Sequence, residues 1–260
     1  MGQLVRLNTV FGNKKLPVII DRDISALEAE IRALPGLRAF WDMSDPAVRN
    51  VSGGRIVKIT DKSALGNHLT ATPEQAPLLD NSILGGVSSA YFDGSKGMVS
   101  DTDAFKASMN NMTIVVFAMK SEATTPVSSI LVSGKENAFV SVYARNTSIS
   151  INSANLDLNK GNLIGKPLSL IASTDFSANR STIRDDKGFN SGANLTPRKL
   201  KDEPALVGKW PASANPENAV GWKGYVGHVM VFDGYIADNQ YTSDLLLEYA
   251  RRKYNTPAWE

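Results

Sequence analysis

No cysteine occurs among the 260 residues, which removes disulfides, thiolate metal ligands and a cysteine nucleophile. Histidine is nearly as scarce: His68 and His228 are the only two. That speaks against a zinc site, which wants at least three nitrogen or sulfur ligands, and leaves any Ser-His-Asp triad to one of these two imidazoles. Neither stands near a nucleophile-elbow motif: His68 follows a Gly-Asn turn and His228 lies within a predicted strand. An excess of one charge is missing too. The 28 Lys and Arg residues balance 26 Asp and Glu to a formal net charge of +2, so no basic stripe favours nucleic acid and no acidic block suggests a disordered tail. No segment reaches the roughly 18 apolar residues of a membrane span. The N-terminal MGQLVRLNTVFGNKKLPVIID lacks an apolar signal core and a small-residue cleavage site, and Arg6 stands where myristoylation wants Ser or Thr. No glycine-rich phosphate loop or dinucleotide fingerprint precedes a helix. The expectation is a soluble chain made in the cytoplasm, with neither nucleic acid nor membrane as partner.

What is present is ordinary globular composition, 42% hydrophobic and 21% charged, enough for one large domain. Residues 1–36 read as an arm and a short amphipathic helix. Residues 1–22 carry apolar patches without periodicity, among them Leu16, Val18, Ile19 and Ile20. In DISALEAEIRALPG, Ser25 and Glu28 fit a capping box and Asp23 is the alternative cap; Ile24, Leu27, Ile31 and Leu34 share a face, and Pro35-Gly36 stops the helix. That face packs either on its own domain or on a partner subunit.

Residues 37–260 punctuate like a β protein. Apolar runs such as LRAFWDM (37–43), MTIVVFAMK (112–120), LSLIAST (168–174) and WKGYVGHVMVFDG (222–234) alternate with Gly, Asn, Asp, Pro and Ser clusters about every 8–12 residues. A helix over about 239–253 closes the chain, with Leu245, Leu246, Tyr249 and Ala250 inward. The segment 185–203, with Lys187, Arg198, Lys199 and Lys201, reads as an extended polar surface hairpin or loop.

Five pieces in order across residues 37–255 resemble the laminin-G-like members of the concanavalin A-like lectin/glucanase superfamily. LRAFWDM is similar to the opening strand, and ITDKSALGNHLTA to an Asp-x-Ser-Gly-x-x-Asn turn with Ala64 in the glycine's place. SAYFDGSKGMVS is similar to the aromatic-Asp-Gly-Ser turn, MTIVVFAMK to the central strand, and WKGYVGHVMVFDGYIADNQ to the closing Gly-x-Ile-Gly-Glu strand. The resemblance implies an all-β, two-sheet antiparallel jelly-roll sandwich with the N-terminal arm and helix and the C-terminal helix appended. It implies that Gly224 and Gly227 are bend or packing points. Tyr225, Val229 and Val231 would then share one strand face, and Val226, His228, Met230 and Phe232 the other. His228 replaces the family's frequent acid, which leaves any role of that acid unfilled.

Chemistry is hard to find. Related glucanases set carboxylates along one strand as Glu-x-Asp-x-x-Glu, and retention needs two carboxyls about 5 Å apart. No such run exists; Asp185-Asp186 and Asp202-Glu203 read as solvated pairs. The chain is expected to be non-enzymatic. The resemblance brings calcium into view, with Asp61, Asn67 and Asp93 as oxygen donors, although these are also turn-forming residues. For sugar binding, Trp41 and Trp222 read as core and Trp259 as a terminal docking residue. Trp210, ahead of the polar PASANPEN, is the candidate platform. The expected function is a bacteriophage virion subunit of tail, baseplate or capsid surface, docking through its arm, with other virion subunits or copies of itself as partners. The alternative is a carbohydrate-binding module for a host-surface glycan, and a glycan hydrolase ranks third.

Overall fold

The computed structural model describes residues 23–123, 129–135, 141–151, 156–193, 200–209 and 220–255. It opens with helix α1 (Ile24–Arg32), capped by Asp23, whose Oδ1 accepts from the Ala26 N–H at 2.6 Å. Leu27 and Ile31 are buried while Ile24 turns outward. At Gly36 the chain reverses with φ +79°, so close to the strand beside it that a Cβ would lie 2.2 Å from the Asp233 carbonyl oxygen.

The first strands are β1 (Leu37–Asp42), β2 (Arg49–Ser52), β3 (Arg55–Ile59), β4 (Leu69–Thr70), β5 (Leu78–Leu84) and β6 (Val87–Asp93). Next come β7 (Met98–Ser100), β8 (Asn111–Lys120), β9 (Ser129–Gly134), β10 (Val142–Ala144), β11 (Ser148–Ile151) and β12 (Leu156–Asn159). The last are β13 (Pro167–Asp175), β14 (Arg180–Arg184), β15 (Phe189–Ala193), β16 (Ala205–Val207), β17 (Val220–Gly221) and β18 (Lys223–Phe232), before helix α2 (Gln240–Lys253). β8 and β18 are long neighbours, with Val231 opposite Ile114. β13, β14 and β15 extend the array beyond β8. Beyond β18, β6 pairs with its first half and β1 with its second. The second array runs β2–β3–β4–β7–β16–β9–β10–β11–β12.

The fold is therefore all-β and antiparallel with a helix at each end; among these ladders only the two-residue β17–β9 pairing is parallel. The arrays do not part into two unlinked sheets. β5, paired with β6 in the first array, meets β3 at Arg55 and Leu78, and at the far end the Asn190 amide of β15 donates to the Asp157 carbonyl of β12 at 2.7 Å. The strands form one network nearly closed on itself.

Burial explains why β8 reads as a continuous apolar run: both its faces are covered. Ile114, Val116 and Ala118 enter the interior with Trp41, Val207 and Trp222. Val115 and Phe117 lie on the other face, under Leu27 and Ile31 of α1 and Leu245, Leu246, Tyr249 and Ala250 of α2. The face of α1 thus packs on its own domain.

The two glycines of β18 are structural, as the resemblance implies. A Cβ at Gly224 would meet the Met119 carbonyl oxygen at 2.2 Å. At Gly227 the ladder slips by one residue, from Val226 opposite Ala118 to His228 opposite Phe117. That bulge corrects the expected facing. Val226, Val229 and Val231 share the interior, whereas Tyr225, Met230 and Phe232 pack on the outer clusters beneath the helices. Strict alternation fails because the extra residue inverts parity.

Candidate functional site

The turn after β3 gathers two of the three expected cation ligands. Asp61 Oδ1 accepts from the Phe40 and Ser63 N–H groups, both at 2.8 Å. Its Oδ2 accepts from the Ser63 hydroxyl at 2.6 Å and the Asn67 N–H at 3.0 Å. The Asn67 amide donates to the Arg38 carbonyl at 2.6 Å, and its Oδ1 accepts from the Thr102 hydroxyl. Both Asp61 oxygens are thus filled by N–H and O–H donors that brace the turn against β1. Asp93 belongs to a separate turn after β6, where it accepts from the Ser95 N–H and hydroxyl at 2.9 and 2.7 Å. Among the described residues no three Asp, Glu, His or Cys side chains group as a metal site. Ala64, at φ +67°, takes the left-handed conformation that favours glycine.

Trp41 and Trp222 are fully buried in the interior. Trp210 and Trp259 lie outside the described residues. His68 Nδ1 accepts from the Asp61 N–H at 3.0 Å and so belongs to the same brace. His228 is fully buried, and burial pushes its imidazole down to about 3 despite the nearby Asp42 carboxylate. It stays neutral at ordinary pH. The carboxylates of Asp185 and Asp202 are structural as well. Asp185 accepts from the Lys187 and Gly188 N–H groups and pairs with Lys160. Asp202 accepts from the Ala107 N–H at 2.7 Å, and the Glu203 backbone bridges to Phe105.

A charge cluster that local sequence does not reveal sits beneath the helices. Lys62 Nζ lies 2.8 Å from Glu28, 2.9 Å from Asp42 and 2.7 Å from Asp45. Asp42 also accepts from the Ser44 hydroxyl at 2.6 Å and pairs with Lys253. Tyr249 donates to Glu28 at 3.1 Å. Burial works against the charge on Asp42, but Lys253 and Lys62 outweigh it and hold the carboxyl well below its usual range. Every charge here has a partner of opposite sign, so the cluster fastens α1, α2 and β1 together and offers no free acid or base. At the end of β8, Lys120 is fully buried with its Nζ 2.9 Å from Asn146 Oδ1, and burial lowers its ammonium to about 8.

The outer face of the β14–β15 hairpin is exposed along β15 and at Arg180, while Thr182, between the two arginines of β14, is buried. Arg180 and Arg184 share one face of β14, four residues and so about 13 Å apart. Arg180 covers the Tyr235 ring at 4.3 Å and pairs with Asp238 at 2.7 Å, both side chains about half exposed. The Tyr235 and Thr182 hydroxyls are 2.5 Å apart. Arg184 donates to the Ala237 carbonyl at 3.0 Å and to Gln240 Oε1 at 2.6 Å, while Gln240 Nε2 donates to Asp244 at 2.6 Å. Opposite Arg184 in register stands Phe189, its ring 6.0 Å from the guanidinium. Phe189 is 65% exposed, the most exposed large apolar side chain among the described residues. Sequence reasoning read this hairpin as polar surface and passed over its sole aromatic residue.

No protein-family model matches the chain, and no curated protein does. Solved structures do. The Trypanosoma rangeli sialidase in complex with sialic acid matches with a TM-score of 0.55 at 12% identity, over 82% of this chain and 33% of that one. An arabinofuranosidase complexed with arabinofuranosyl-alpha-1,2-xylobiose matches with a TM-score of 0.52 at 14% identity, over 75% of this chain and 51% of that one. Domain 4 of an extracellular arabinanase from Geobacillus stearothermophilus, in complex with arabinotriose, matches with a TM-score of 0.51 at 11% identity, over 83% of this chain and 98% of that one. The chain thus spans about a third of the sialidase. At these identities the likeness is one of fold.

The matches correct the expectation of a non-enzymatic chain. This fold occurs within structures of sialidases and an arabinofuranosidase, so its architecture does not set it apart from glycan-cleaving proteins. The expectation rested on missing motifs, among them a carboxylate run along one strand. Carboxylates contributed by separate strands leave no such run, and the sequence pattern was too narrow a test.

Proposed function

We propose that the chain is a glycan-binding β domain of laminin-G-like, jelly-roll type. The observation that carries the reading is the match to the arabinanase domain 4. There the correspondence covers 98% of the neighbour, a whole domain against a domain, and that neighbour's structure holds arabinotriose. A curved β network with a solvent-open face carrying an aromatic ring beside fixed hydrogen-bonding groups suits sugars, which present an apolar C–H face and a rim of hydroxyls. The test is a glycan array of neutral and acidic oligosaccharides, followed by titration of the hits. We expect saturable binding to at least one class, and silence across the array overturns the reading.

Two finer proposals attach to it. Trp210 is a candidate stacking residue, and Trp210→Ala should weaken an array hit about fivefold or more if its indole holds sugar. The setting we propose is a phage virion, with residues 1–22 as docking segment, supported by the aperiodic apolar run Leu16–Ile20. Antibody labelling of particles would locate the chain on a virion or fail to.

A further inference from the structure

Resting on that reading, we infer that the outer face of the β14–β15 hairpin is a glycan site and that its ligand is a sugar chain bearing carboxylate groups. Phe189 is an aromatic ring that the fold leaves 65% exposed, so its apolar face is available for stacking. Beside it, Arg184 is held by the Ala237 carbonyl and by Gln240, itself oriented by Asp244. Both direct acceptors of Arg184 are uncharged, and two bonds use two of a guanidinium's five N–H donors. A pre-oriented, still positive guanidinium next to an exposed ring suits a carboxylated hexose, with fork-like contacts to the carboxylate and stacking on the C–H face. The second guanidinium, Arg180, lies along the same strand face and shares its charge with Asp238. The backbone positions of the two arginines are about 13 Å apart along β14, more than one sugar ring, so a ligand reaching both is a chain, and buried Thr182 between them directs its path over the exposed strand β15.

Affinity electrophoresis of the full chain through gels containing polygalacturonate, or its neutral methyl ester, tests this. The wild type should be retarded by polygalacturonate and much less by the ester. Phe189→Ala and Arg184→Gln should each weaken retardation about tenfold, with unchanged melting midpoints. Arg251→Gln, which removes an equal charge on α2 where it pairs with Glu248, should bind as the wild type does. Polygalacturonate binding that survives both site variants overturns the location while leaving glycan binding intact. Retardation by the ester alone overturns the acidic ligand, and retardation by neither polymer, with array hits confined to neutral sugars, does the same. Loss of binding in Arg251→Gln equal to that in Arg184→Gln shows general charge attraction and also overturns the site.

Discussion

Replacing Gly227 by alanine adds one methyl group at the β18 bulge. Its Cβ would stand 2.5 Å from the hydroxyl oxygen of Tyr254, 2.6 Å from Cζ and 2.8 Å from Cε1. These separations are roughly 1 Å inside ordinary contact. Tyr254 has little room to withdraw. It is fully buried, its ring lies on Phe117 with centroids 3.8 Å apart and planes 5° from parallel, and its hydroxyl is 3.2 Å from His228 Nδ1. Overpacking costs about 1–3 kcal/mol, and loss of the Tyr254–His228 hydrogen bond adds about 1 kcal/mol. The expected destabilisation is about 2–4 kcal/mol, or a melting midpoint roughly 4–16 °C lower in a domain of this size. Thermal and urea unfolding measure it directly. A double-mutant cycle identifies the cause: in a Tyr254→Leu background the Gly227→Ala cost should shrink below about 1 kcal/mol. An unchanged midpoint in the single variant, or equal costs in both backgrounds, would refute the steric account.

The buried charge cluster predicts that Asp42→Asn, which leaves Lys253 without its carboxylate partner while Lys62 keeps Glu28 and Asp45, costs about 3 kcal/mol in urea unfolding. Asp93→Asn in an exposed turn should stay within about 0.5 kcal/mol. Lys120, held at about 8 when folded against 10.5 when unfolded, binds fewer protons in the folded state across that window. Its contribution to stability should therefore rise with pH from about 8 towards 10, a slope that Lys120→Met should flatten. Above pH 10 stability should fall, because unfolded tyrosines ionise there while burial keeps Tyr249 and Tyr254 protonated in the fold. Urea midpoints from pH 7 to 11 check both limbs.

The long strands were legible because covering on both faces makes an uninterrupted apolar signal, as in β8. The helices were equally plain, and Asn239 accepts from the Thr242 N–H at the start of α2 as a cap should. β2 and β5 escaped sequence reasoning because they lie mostly exposed, and β4 because two residues carry no period. The parity of β18 was lost at one inserted residue that propensity does not encode. The charge cluster draws on Glu28, Asp42, Lys62 and Lys253, and no local window joins positions so far apart. Asp61 and Asn67 were named as oxygen donors for calcium; that the lone pairs of Asp61 are filled by neighbouring N–H and O–H groups becomes visible only in three dimensions. Phe189 stood in plain view within a polar stretch, and only its exposure gives it meaning.

The contacts between the two helices have a mechanical consequence. Tyr249 meets Glu28 and Tyr241 meets Glu30, so α1 and α2 run antiparallel and their outer ends lie together. A force drawing residue 23 away from residue 255 would open this pair like a zipper, one contact at a time. The load would fall first on the end where Glu28, Lys62, Asp42 and Lys253 meet, and reach the strand ladders through Asp42 of β1. The arrangement predicts an order of failure under such a pull, the helical clasp before the β network, which single-molecule stretching would read as two separate steps.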